Sequence, residues 1–248
     1  MKSIIIAAGS GKRIGGPFIQ LPKSMIRVND KTIIEYQISV LKKFGIDEII
    51  VITGPYSEKF TIDNLNYVND KNFAKHDILG SLMEAKNFLN DDVLILYSDI
   101  LFEEKIIEQI LNSKNNISLA IDLNWKKHYE GRTQHPLSEA ENVEFDSNNQ
   151  IIKIQKNINK NHLIGEFLGI VKLNMIGSKI FVEKYNELLK NHEGHFHQAT
   201  SLIKAYLTDF FQELIDSGIK IEPIFISGKW CEIDTLQDLK RAELLFNN

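Results

Sequence analysis

The segment Lys2-Ser3-Ile4-Ile5-Ile6-Ala7-Ala8-Gly9-Ser10-Gly11-Lys12-Arg13 constrains the fold more than any other, because an apolar run gives way to small residues and then to two cations. Apolar side chains without polar alternation describe a strand covered on both faces. The alanines and glycines at its end leave main-chain N–H groups bare, so phosphate oxygens and a flat ring can approach without meeting side chains. Lys12 and Arg13 supply charge where such oxygens would lie, and Pro22-Lys23 brings a further cation from a second direction. A buried strand that delivers a bare turn to a nucleoside triphosphate is the expectation.

The nearest competing motifs fail on spacing. A dinucleotide fingerprint needs G-x-G-x-x-G, but Gly9, Gly11 and Gly15 give one residue too many, with Arg13 and Ile14 where close helix packing wants small residues. A hydride-transfer enzyme is thereby disfavoured. A Walker loop needs a glycine where Ile6 stands and a hydroxyl residue where Arg13 stands. Kinase and ATPase readings fall with it.

Composition narrows the partners. With 248 residues, 43% of them hydrophobic, the chain can bury a full core without a covalent staple. The net charge is −4 and the basic residues are dispersed, which argues against nucleic acid and against a basic membrane-binding face. Cys231 is the single cysteine; it excludes an internal disulfide framework and suits a reducing compartment. No apolar run approaches the ~20 residues of a membrane span, and Met1-Lys2 opens directly into a strand. The expected location is cytoplasmic and the expected partner is a small molecule.

Strand-like and helical patterns alternate through the first half: strands at 2–8, 48–53 and 93–97, a short one at 65–68, and helices at 32–44, 79–89 and 103–111. From about residue 117 come strands at 117–123, 141–145, 151–154 and 165–173, helices at 175–189 and 198–216, a strand at 219–226 and a C-terminal helix at 235–246. This pattern predicts one α/β domain over 1–248, a three-layer α/β/α arrangement with a mixed, mostly parallel sheet. Residues 1–116 would form the nucleotide-binding half and 117–248 the acceptor-binding half. Ligands of such sheets sit beyond the carboxyl ends of the strands.

Ala7-Ala8-Gly9-x-Gly11-x-Arg13, Pro22-Lys23, Tyr97-Ser98-Asp99, Gly165-Glu166-Phe167-x-Gly169 and Glu232-Ile233-Asp234-Thr235 together resemble the Rossmann-like nucleotidyltransferases that make NDP-sugars and CDP-alcohols. The segments 77–82, 131–136, 205–209 and 230–235 are most similar to the phosphocholine and phosphonate cytidylyltransferases, including the domain fused to some phosphoenolpyruvate mutases. The resemblance implies transfer of a nucleoside monophosphate to a phosphate or phosphonate acceptor, with release of pyrophosphate. The acceptor oxygen is already ionised at neutral pH, so alignment and charge neutralisation are the main tasks.

On that resemblance Lys23 and Arg13 are the catalytic cations, and Ala7, Ala8, Gly9, Ser10, Gly11, Lys12, Arg13, Asp77, Gly80 and Ser81 bind the nucleotide. Ser81 would contact the base or ribose, Gly80 would admit the ring, and Asp77 could equally be only a helix cap. Asp99 and Asp234 offer hard oxygen ligands to Mg2+, although each also precedes a helix and could serve as its N-cap. On the acceptor side, Glu166 is either the family's acidic residue or an outward residue of a strand. Trp125 and Trp230 could face an ammonium or simply pack, and Arg132 could pair with a phosphate or lie at the surface. His192, His195 and His197 read as a solvated loop before a metal tract, and Cys231 reads as packed. The resulting expectation is a Mg2+-dependent cytidylyltransferase using CTP, with a homodimer left open. A hexose-1-phosphate nucleotidyltransferase and a catalytically silent nucleotide-binding subunit are the alternatives.

Overall fold

The computed structural model describes residues 1–9, 14–15, 18–158 and 163–247. The opening strand β1 (Lys2–Ala7) is buried at every residue, as its unbroken apolar run requires. A 3-10 turn at Lys23–Met25 leads through the two-residue strands β2 (Arg27–Val28) and β3 (Lys31–Thr32) into α1 (Ile33–Lys43). The start of α1 is fixed by a reciprocal cap: the Thr32 hydroxyl accepts from the Glu35 N–H, and the Glu35 carboxylate accepts from the Thr32 N–H. Its buried stripe of Ile34, Ile38 and Leu41 follows the 3.6-residue period.

There follow β4 (Ile49–Thr53), β5 (Asn66–Asn69), α2 (Ile78–Glu84), β6 (Val93–Tyr97), β7 (Ile100–Phe102), α3 (Glu104–Leu111), β8 (Ile117–Asp122) and the short α4 (Lys126–Tyr129). The second half contributes β9 (Glu141–Phe145), β10 (Ile151–Lys156), β11 (Ile164–Leu173), α5 (Met175–Asn191), α6 (Leu207–Asp216), β12 (Glu222–Phe225), β13 (Trp230–Glu232) and α7 (Leu236–Leu245). No helix among the described residues is long and apolar enough to cross a membrane.

The sheet is mixed, and its first half, β6-β1-β4-β5, is wholly parallel. The long β11 runs antiparallel to β6 and also pairs with β9 and β8, so strands from both halves of the chain share one sheet. Alternation along β1 sends Ile5 and Ala7 against α1 and α3, and Ile4 and Ile6 against the cluster that holds α2, α5 and α6. Each such buried isoleucine contributes about 1.5–3 kcal/mol relative to an exposed one. A smaller cluster of Ile26, Val28, Ile233 and Leu239 seats α7 beside the short β2–β3 hairpin. The three-layer α/β expectation is met.

Three expected elements are much shorter than their patterns: the strand over 219–226 is β12 at Glu222–Phe225, the helix over 79–89 is α2 at Ile78–Glu84, and the helix over 198–216 loses its first half. The helix predicted over 198–216 exists only as α6, because the residues before it hold other backbone: the carbonyls of Ile203 and Ala205 accept from the N–H groups of Asp77 and Leu79 at 3.1 Å each. These bonds satisfy donors that the first turn of α2 cannot satisfy internally. Asp209 then marks the true start of α6 by accepting from the Tyr206 N–H at 2.9 Å. Four short strands, β2, β3, β7 and β13, have no counterpart in the sequence pattern, being too short to carry a period.

Candidate active site

The centre of the site is an ammonium between two carboxylates. Pro22 precedes the short turn that starts at Lys23, and Lys23 Nζ reaches Asp99 Oδ2 at 2.8 Å and also bonds Asp234 Oδ1. Asp99 follows β6 at the carboxyl edge of the sheet, whereas Asp234 follows β13. The antiparallel pairing of β7 with β13 sets Glu232 opposite Ile100, and the Ile233 N–H bonds the Asp99 carbonyl at 2.9 Å. That ribbon brings the two acids together. Burial opposes the charge on Lys23, but Asp99 and Asp234 outweigh it and hold the ammonium above the ordinary lysine range.

Neither aspartate is a helix cap. The N-cap of α3 is Glu103, and that of α7 is Thr235, whose hydroxyl accepts from the Asp238 N–H. Asp234 spends its second oxygen on His135 Nδ1, 3.1 Å away, and Nε2 of that imidazole lies 3.6 Å from Glu232. His135 is buried in a loop and carries no sequence signal of a role.

Two cavities meet at this centre. One, of about 530 Å³, is lined by Ala8, Gly9, Lys23, Asp77, Ser81 and Asp99, with Phe73, Tyr97 and Tyr206 on its walls. The other, of about 340 Å³, shares Ile78, Tyr97, Asp99 and Tyr206 with the first and is lined further by Glu139, Glu141, Glu166, Trp230, Glu232 and Asp234. Against these acids it sets Lys156, which is 3.0 Å from Glu139 and stacks over the Tyr206 ring at 4.5 Å. Burial pushes the Glu141 carboxyl up to about 8. Burial, with Asp234 and Asp99 adding repulsion, takes Glu232 to about 7. Glu166 Oε1 accepts from the Tyr129 hydroxyl at 2.5 Å, while its buried Oε2 has no partner among the described residues. Burial raises Glu166 well above the usual carboxylate range. An empty-handed buried oxygen in an acidic cavity is a place for a donor or a cation.

Several expected site residues lie elsewhere, each for a visible reason. Ala7 points to the opposite face of β1 from the larger cavity, since successive strand residues alternate. Gly80 does not admit a ring: a Cβ there would meet the His76 side chain at 2.8 Å and the Ile203 carbonyl at 3.0 Å, so its smallness serves the packing of α2. Asp77 occupies the N-cap position of α2 but makes no cap bond; it lines the cavity, with Lys204 at 3.8 Å. Trp125 is core, donating from Nε1 to the Ile164 carbonyl at 3.0 Å and packing edge-on to Tyr129.

Arg132 is neither at the surface nor in the acidic cavity. Its Nε donates to Asp238 at 2.7 Å, its Nη2 lies 3.5 Å from Glu232, and its guanidinium stacks on Tyr129 at 4.9 Å. It positions Glu232 and the start of α7. Trp230 does line the acidic cavity, with Nε1 donating to Asp122 at 2.9 Å and its ring stacked on His128 at 4.3 Å. Ser10, Gly11, Lys12 and Arg13 lie outside the described residues.

The histidine loop and the cysteine make no centre. His192 Nε2 meets the His195 carbonyl at 2.9 Å and His197 meets Glu213 at 3.1 Å; among the described residues these imidazoles form no ligand cluster. Burial pushes the Cys231 thiol up to about 12, which leaves it inert. The residues missed in the sequence are His135, Glu141, Lys156, Tyr206 and Glu232. Of these His135, Tyr206 and Glu232 lie inside segments that carry the resemblance, whereas Glu141 and Lys156 lie outside them.

A buried strand ending at the small residues Ala8 and Gly9, a lysine between carboxylates and two joined cavities suit a site for phosphate-bearing ligands. Residues 3–144 match the MobA-like NTP transferase domain, and the chain belongs to that family. It is 28% identical over 254 aligned positions to the CTP:phosphoglutamine cytidylyltransferase of Campylobacter jejuni, covering 97% of this chain and 98% of that one. Over a shorter stretch of 118 positions, 46% of this chain and 51% of the relative, it is 36% identical to the choline-phosphate cytidylyltransferase of Streptococcus pneumoniae. The solved structure of the CTP:phosphocholine cytidylyltransferase of Streptococcus pneumoniae matches with a TM-score of 0.73 over 99% of each chain at 20% identity, which speaks to the fold. The resemblance carried by the sequence motifs is borne out.

Proposed function

We propose that this protein is a Mg2+-dependent cytidylyltransferase that joins CMP from CTP to a small phosphate or phosphonate bearing an ammonium group, and releases pyrophosphate. The observation that carries the reading is the junction at Lys23 and Asp99, where the nucleotide cavity opens onto a second cavity rich in carboxylates. The likeness to cytidylyltransferases along the chain supports CTP.

In the reaction an acceptor oxygen attacks the α-phosphorus of CTP, a new P–O bond forms, and the bond to the β-phosphate breaks with its electrons leaving on pyrophosphate. Lys23, held protonated, places a fixed positive charge beside the reacting phosphates. Asp99 and Asp234 would hold Mg2+ by donor chemistry, since both are hard oxygen ligands lining the junction of the cavities beside the Lys23 ammonium that each also binds. A bound Mg2+ would neutralise phosphate charge. Glu166 and its acidic neighbours would receive the ammonium of the acceptor and exclude acceptors lacking one. The walls shared by the two cavities, Tyr97 and Tyr206, hold the two substrates in one line of approach.

The test is pyrophosphate release with each of four nucleoside triphosphates against phosphocholine, aminoalkylphosphonates, amino-acid phosphates and hexose-1-phosphates. Turnover of CTP with an ammonium-bearing acceptor is expected. Equal turnover of UTP or dTTP with a hexose-1-phosphate overturns the reading.

A further inference from the structure

Ser81 lines the nucleotide cavity from the first turns of α2, where a hydroxyl ordinarily bonds its own helix backbone. Here it reaches across instead and donates to Asp70 Oδ2 at 2.7 Å. Asp70 follows β5 and is fully buried. Its Oδ1 accepts from the Asn72 N–H at 2.8 Å, and its Oδ2 also faces His76 Nδ1 at 3.3 Å. As a carboxylate Asp70 can only accept, so the single proton of Ser81 is committed to it. What Ser81 Oγ has left for the cavity is lone pairs.

We propose that Ser81, with its proton held by Asp70, is an obligatory acceptor that selects a base carrying an exocyclic amino group, and that Asp70 is the positioning residue for that choice. The inference rests on the CTP reading above. Cytosine offers an amino donor where uracil offers a carbonyl oxygen. Opposite Ser81 Oγ, the carbonyl of uracil would leave two acceptors facing each other without a proton, a mismatch that discriminates far more strongly than a lost methylene. Asp70 touches no substrate; its effect passes through the direction of one O–H bond.

The experiment compares kcat/KM for CTP and for UTP, with one common acceptor, in the wild type, Asp70→Asn and Ser81→Ala. An asparagine keeps the volume, but its amide can donate to Ser81 Oγ and free the hydroxyl proton to turn toward the cavity. The ratio of CTP to UTP should fall at least about tenfold in both variants, on the scale of discrimination by a single hydrogen-bonding group. A merely structural loss would lower both nucleotides alike and leave the ratio in place. An unchanged ratio in folded Asp70→Asn, with CTP still preferred by the wild type, overturns the inference and leaves the CTP reading standing. A wild type that prefers UTP overturns the CTP reading and the inference with it. Should Asp70→Asn not fold, Ser81→Ala decides: a ratio unchanged from the wild type overturns the inference, and a tenfold fall supports it.

Discussion

Lys23 and Asp99 stand 76 positions apart in the chain, and the ammonium of one lies 2.8 Å from the carboxylate of the other at the point where two cavities join. A charge held there acts on whatever phosphates meet across the junction. During transfer, charge shifts from the attacking oxygen toward the leaving pyrophosphate, and a fixed cation interacts more strongly with that arrangement than with bound CTP. Lys23→Ala should therefore lower kcat on the order of 10²-fold or more, with a smaller effect on CTP affinity. Single-turnover kinetics with calorimetric CTP binding measure the two separately. A loss confined to binding would make Lys23 an anchor only.

Asp99→Ala and Asp234→Ala should each abolish Mg2+-dependent turnover while the protein stays folded, because Glu103 and Thr235 cap the neighbouring helices. The contrasting variant is Thr235→Ala, which should cost about 1 kcal/mol of stability through loss of the cap. Activity titrated against Mg2+, beside thermal melts, separates the roles. Near-normal turnover at limiting Mg2+ in either aspartate variant would remove that residue from the metal site.

Glu166→Gln keeps the shape of a buried side chain and removes its capacity for negative charge. If Glu166 receives an ammonium, KM for the acceptor should rise about tenfold or more while KM for CTP stays within about twofold, the signature of a lost binding contact on one substrate. Steady-state kinetics varying each substrate in turn give the answer. Equal changes for both substrates would point to a general packing role.

Stability should fall as pH rises toward 8. The Glu141 carboxyl is pushed from its ordinary 4.5 up to about 8 by burial, so the native state holds a proton that the unfolded chain has already released. The stabilisation is complete below the unfolded value and is lost as pH climbs through the folded one. Glu141→Gln, which cannot ionise, should show a shallower decline between pH 5 and 8. Urea midpoints across that range are the measurement, and equal slopes in the two proteins would refute the assignment.

Arg132→Ala should destabilise the fold by about 3–5 kcal/mol, the cost of leaving a buried charge without its partner. Arg132 and Asp238 are both nearly inaccessible, and Asp238 also accepts from the Thr235 N–H and hydroxyl. Chemical denaturation at neutral pH tests it. A variant of unchanged stability but weakened acceptor binding would return Arg132 to the acceptor site.

Much of this architecture was legible because it depends on neighbours in sequence. An unbroken apolar run makes a strand covered on both faces, so β1 and β6 could be read directly, and 93–97 was bounded correctly to the residue. Thr32 three residues before Glu35 announces a helix start, and Gly45, with φ of +72°, marks its end. Where local pattern misled, a distant partner had claimed the backbone: residues 198–206 carry a helical period, yet carbonyls within them serve the first turn of α2.

For the site, the sequence by itself determined the chemical vocabulary: a cation at Lys23, acids at Asp99, Glu166 and Asp234, and small residues at the end of β1. Tertiary structure alone decided which of these groups share a space. The three-residue pairing of β7 with β13 brings Asp234 to Lys23, alternation turns Ala7 away from the larger cavity, and an ion pair with Asp238 draws Arg132 out of the acidic cavity. The physical reason is one of range. Propensity, caps and periodicity act over a few residues, whereas the field at a charged group is set by whatever the fold places within a few ångströms of it, however far away in the chain.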